Sequence, residues 1–155
     1  MPTPQLVQRR ISFSSQIATR NVELLDILDV WTACRHGRSM PARWDLSPET
    51  IRRHLGWVHL LDVSSEPLDF RFRLYGSKIA EVLGHDATGK TLSEAFSEPF
   101  LSEVRGAFEY TVESAAPLLL FSSGAGADKD FLTVTSLLLP LSDIDDTVDV
   151  ILVRH

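Results

Sequence analysis

One cysteine, five histidines and a surplus of carboxylates are the groups with which this 155-residue chain could do chemistry. The thiol, Cys34, falls on a line of apolar residues, whereas a nucleophilic thiolate needs a base or cation beside it and access to solvent. It reads as a packed thiol. As the only cysteine it excludes an intrachain disulfide. His36, His54, His59, His85 and His155 show no His-x-x-His spacing, and no Cys-x-x-Cys accompanies them, so no zinc site is expected. Gly124-Ala125-Gly126 looks like a phosphate loop, but a β-forming run follows it. Anion binding needs the free N–H groups of a helix start, so a hairpin loop is expected instead. There is no Gly-x-Ser-x-Gly elbow, Walker loop or His-Glu-x-x-His. The expectation is a protein that binds and does not catalyse.

Two more groups invite weighing. His59 lies within a β-forming run and His85 after a helical one; each suits ligand contact or a satisfied structural role. Arg71, Arg73 and Tyr75 alternate with Phe70, Phe72 and Leu74, which puts the first three on the outer face of a strand. There the arginines either pair with carboxylates or recognise an anion. Arg52-Arg53-His54 reads as a solvated face. Asp86-Ala87-Thr88-Gly89 reads as an Asx turn closed by a glycine of positive φ.

The elements that must position these groups follow from pattern. Residues 1–20 lack a period and an acid but carry Arg9, Arg10 and Arg20; they read as a flexible leader. Residues 21–155 read as one domain, large enough to bury roughly 70% of the surface an unfolded chain exposes. Leu24, Ile27, Leu28, Trp31 and Cys34 form an apolar stripe on a helix over 22–36, with Asn21 as N-cap and Gly37 as its stop. Ser47-Pro48-Glu49 starts a short helix that Gly56 ends. Strands are predicted over 57–63 and 70–75, joined through the turn residues Ser64 to Pro67. Short helices over 78–83 and around 91–96 follow, the latter opened by the capping box Thr91-Leu92-Ser93-Glu94. A longer helix spans 99–115, and Pro117 prevents its continuation. Three strands, over 118–121, 131–139 and 147–153, are separated by turn-rich runs over 122–128 and 142–146.

This order predicts an α+β domain, with helices on one face of a five-stranded antiparallel sheet and an N-terminal flanking helix. The formal charge of −6 argues against a general nucleic-acid coat. No apolar run approaches the length of a membrane span or of a signal peptide core, which makes the cytoplasm the expected compartment.

Seven short motifs in series resemble the PAS superfamily, in particular a group of small stand-alone bacterial PAS proteins. They are Trp31 followed by Gly37-Arg38-Ser39-Met40-Pro41-Ala42-Arg43, then Asp45-Leu46-Ser47-Pro48, Leu61-Asp62-Val63, Phe70-Arg71-Phe72-Arg73-Leu74-Tyr75-Gly76, Gly84-His85-Asp86-Ala87-Thr88-Gly89, and Leu139-Pro140-Leu141. The resemblance covers roughly residues 22–153. It implies a sheet wrapped by helices around a small-molecule cavity, with output through dimer or partner contacts. Flavin-bonding PAS domains carry a cysteine in the helical connector after the second strand, and haem-binding ones a histidine in the long connector helix. This chain has neither there, so no cofactor is assigned.

The expected function is non-catalytic sensing or regulation, with a purely structural adaptor as the alternative and a hydrolase of unfamiliar type as a third. Phe72, Leu74, Ile79, Leu83, Phe108 and Val134 are the apolar positions expected to line a cavity, with His59 as its polar anchor. The same residues could fill a solid core. The chain stops with its fifth strand, at His155, with no kinase or cyclase segment, so a signal is expected to leave by contact with another protein. The stripe of Leu24, Leu28 and Trp31 is the expected surface, for a homodimer mate, for a signalling protein or for cover of the sheet.

Overall fold

The computed structural model describes residues 10–125, 131–144 and 146–155. Residues 1–9 of the predicted leader, the tip of the 122–128 turn from residue 126 on, and Asp145 lie outside the described residues.

Apolar and β-branched residues dominate β2 (Val58–Ser64), β3 (Asp69–Leu74), β4 (Leu118–Ala125), β5 (Phe131–Leu141) and β6 (Val150–Arg154). They form an antiparallel sheet with a sixth member, β1 (Arg10–Ser14), in the order β1-β4-β5-β6-β2-β3. The platform is therefore the antiparallel α+β sheet expected, widened by one strand. Arg10 to Ser14 was expected in the flexible leader. It pairs with β4 instead, Phe13 opposite Leu120, because β4 continues to Ala125 and offers a free edge that the 118–121 reading did not provide.

All five residues of β6 are buried, since it lies at the centre of the sheet with both faces covered. One cover is α1 (Val22–Ala33), whose Asn21 cap accepts hydrogen bonds from the N–H groups of Glu23 and Leu24. The helix is shorter than the predicted 22–36; Cys34 ends it, and Gly37 follows with φ +82°. Trp31 Nε1 donates to Pro140 O at 2.9 Å, which pins α1 to β5. The segment read as a helix from Pro48 is a series of tight turns and a 3-10 run, Arg52–Trp57. Ser47 still caps it, accepting from Thr50 N.

The other face carries α2 (Ser77–Leu83), α3 (Leu92–Ala95) and α4 (Phe100–Ser114). Gly76 precedes α2 where a Cβ would stand 2.6 Å from Gly56 O and 2.8 Å from Val58 O, so only glycine fits. The α3 capping box forms as read, between Thr91 and Glu94. Asp86 Oδ1 accepts from Thr88 N and Oγ1, and Gly89 takes φ +84°, giving the expected turn. That turn then bonds to β3, through Gly89 N to Phe72 O and Phe72 N to Lys90 O. The ring of Phe72 is thereby fixed under the helical block.

Among the described residues, no helix is long and apolar enough to cross a membrane.

Candidate functional site

Strand register decides which side chains look toward the helical block. His59 is opposite Val153, Leu120 opposite Ser136, and Ser122 opposite Val134; these six share the face covered by α2 to α4. Together with Phe72, Tyr75 and the helical side chains Ile79, Leu83, Val104 and Phe108, they enclose a cavity of about 100 Å³. His85, Phe96, Phe100, Ser123 and His155 complete its wall. Among the described residues, no Lys, Arg, Asp or Glu lines it. Six of the seven expected lining positions therefore meet there: His59, Phe72, Ile79, Leu83, Phe108 and Val134.

Leu74 does not. It is 39% exposed, while Tyr75, expected on the outer face, is 5% exposed and lines the cavity. The cause is a bulge. Leu61 pairs with Phe72 but Leu60 pairs with Leu74, so Arg73 is an extra residue and the alternation slips by one beyond it.

The polar side of the cavity is built from imidazoles. His59 stacks on Tyr75 with centroids 3.8 Å apart, stands edge-on to Phe72, and lies 4.3 Å from the ring of His155. Its Nδ1 accepts from Gly76 N at 3.1 Å. A neutral ring that accepts at Nδ1 carries its proton at Nε2. Burial pushes the His59 pKa down to about 2, helped by the neighbouring His155, so the ring is neutral. His155 exchanges a 2.8 Å hydrogen bond with Ser136 Oγ through Nδ1. Its Nε2 is buried without a hydrogen-bond partner among the described residues. Burial, with Arg154 beside it, lowers its pKa to about 3. His85 sits farther out, 3.4 Å from the Tyr75 hydroxyl.

Sequence reasoning missed Tyr75, His155, Ser136 and the phenylalanines Phe96 and Phe100. The first was hidden by the bulge. His155 could have been found, since strand alternation from Val153 puts it on the same face.

Elsewhere the expected groups fall differently. Leu24 and Trp31 are 0% and 3% exposed and Leu28 is packed against the same core, so the stripe covers the chain's own sheet. Pairing through it would require α1 to leave. Cys34 packs at the edge of that core, away from the cavity, where burial and then Asp45 raise its pKa. His54, read as solvated, is 1% exposed. Arg154 Nε, which can only donate, hydrogen-bonds to His54 Nδ1 at 2.9 Å, so Nε2 donates to Asp26 at 2.7 Å. That chain ties β6 to α1. Arg73 pairs with Asp62 at 2.8 Å and Arg71 with Glu94 at 3.9 Å, on the outer face as expected. Both are exposed pairs and contribute little to stability.

An antiparallel sheet with a flanking helix on one face, and short helices closing a lined cavity on the other, is the architecture of a sensory domain. A PAS domain family model matches residues 20–153. The chain belongs to the PAS domain family. Its fold also resembles the solved structure of an RNA-binding light-oxygen-voltage receptor, at a TM-score of 0.51 and 10% identity. That match covers 95% of this chain and 37% of the receptor chain, and at such identity the likeness is one of fold. No curated protein matches the chain in sequence.

Proposed function

We propose that this PAS domain senses by taking a small molecule into the cavity between sheet and helical block. The supporting observation is the lining itself, an apolar chamber with two neutral imidazoles turned to one side. Apolar walls with a few convergent polar groups are what small-molecule sites share. At about 100 Å³ the chamber is smaller than the roughly 300–1,000 Å³ of sites that enclose drug-sized ligands. It suits a compact occupant. Non-denaturing mass spectrometry of protein recovered from its host tests this. A mass above that of the bare chain by a fixed small increment is expected, and the bare-chain mass alone rejects it.

The signal then leaves by contact with another protein or a second copy. With the α1 stripe turned inward, Trp44 and Ile144, 66% and 90% exposed, are among the apolar side chains offered to such a contact. They flank the Arg43–Asp143 ion pair, which joins their two segments at 3.1 Å. Sedimentation of the wild type against Trp44→Ala and Ile144→Ser tests for a homodimer; identical mass distributions would remove this surface from consideration.

A further inference from the structure

The two imidazoles carry complementary hydrogen-bonding capacity. His59 Nδ1 accepts from Gly76 N–H, which puts the ring's proton at Nε2, on a side chain that lines the cavity. His155 Nδ1 is occupied by Ser136, and Nε2 is buried with no partner among the described residues. When Nδ1–H donates to Ser136 Oγ, His155 Nε2 is an acceptor. Both rings line the cavity, with their centroids 4.3 Å apart. A buried acceptor without a partner is costly, and a native fold retains one where something completes it.

A hydroxyl is the group that accepts one hydrogen bond and donates another through a single atom. We propose that the cavity selects a small, uncharged alcohol of about four non-hydrogen atoms, its hydroxyl accepting from His59 and donating to His155. The size follows from volume, since a dry cavity of about 150 Å³ takes benzene and this one is about 100 Å³. The lack of charge follows from the walls. A carboxylate or ammonium would be stripped of water with no Lys, Arg, Asp or Glu among the described lining residues to meet it. The aromatic rings of Phe72, Phe96 and Phe108 receive the hydrocarbon part. The inference rests on the ligand-binding reading above, and its test separates the two.

Isopropanol, isobutane and acetate are titrated into the full chain and followed by side-chain and backbone NMR. An apolar cavity alone would prefer isobutane, which leaves water the more readily. The imidazole pair is expected to reverse that order, with isopropanol binding at least tenfold tighter and shifting the His59 and His155 ring nitrogens. Acetate is expected not to bind. His59→Asn, whose Oδ1 can still accept from Gly76 N–H, should cut the preference for isopropanol over isobutane at least fivefold. Isobutane binding more tightly, acetate binding best, or an unchanged preference in His59→Asn would overturn the alcohol while leaving a ligand cavity. If none of the three perturbs the lining residues, the ligand-binding reading falls with it.

Discussion

Gly76 donates its backbone N–H to His59 Nδ1 at 3.1 Å, joining the start of α2 to the start of β2. The bond is buried, and it sets both the tautomer of His59 and the angle at which the helical block leaves the sheet. His59→Leu removes the acceptor and leaves that N–H without a partner. A loss of about 1–3 kcal/mol is expected in urea denaturation. His59→Asn, which keeps an acceptor, should lose less; equal losses would show that the bond contributes nothing.

The space around Gly76 gives a second expectation. Its missing Cβ would collide with the carbonyls of Gly56 and Val58, both backbone atoms that cannot swing aside. Gly76→Ala should cost about 1–3 kcal/mol, as overpacking does, and lower the melting temperature. Gly106, where a Cβ would meet nothing within 4 Å, is the control. It lies within α4, so Gly106→Ala should stabilise by up to about 1 kcal/mol.

Trp31 anchors α1 through its Nε1–H to Pro140 O and is 3% exposed. Trp31→Phe keeps most of the ring and leaves the carbonyl short of one donor, for a loss of about 1 kcal/mol. Trp31→Ala also opens a cavity and should cost about 3–5 kcal/mol. Calorimetry distinguishes them; similar melting temperatures for the two variants would contradict the packing described.

Acid should destabilise the fold through its buried imidazoles. His59 and His155 hold pKa values of about 2 and about 3 in the folded chain, against about 6.5 when unfolded. Below pH 6.5 the unfolded chain binds protons that the folded one refuses. Their contribution is thus fully present above that pH and is lost as pH falls toward 3. Each ring can remove up to about 1.4 kcal/mol per pH unit in that window. Stability measured between pH 7 and 4.5 should slope less steeply in His59→Asn than in the wild type. Parallel slopes would mean that His59 does not titrate as a buried neutral ring.

Local pattern carried much of this architecture. Asn21, Ser47 and Thr91 are capping residues whose side chains bond within three residues of themselves, so their roles are legible without a fold. The Asp86–Gly89 turn is local in the same way. Alternation put Phe72 on an inner face, and helical spacing did so for Phe108, because each period is set by the backbone alone.

What the sequence determined by itself was the α+β order, the caps and the apolar faces. Which faces met was decided only by the tertiary structure. The bulge at Arg73 exchanged Leu74 for Tyr75 in the cavity wall, and a bulge depends on the partner strand. The stripe of Leu24 and Trp31 fitted a partner or the sheet equally well until Pro140 O was brought to Trp31. His54 and Arg154, 100 residues apart in the chain, became one buried network for the same reason. A hydrogen bond between distant residues exists only after the sheet has closed, and no local period encodes it.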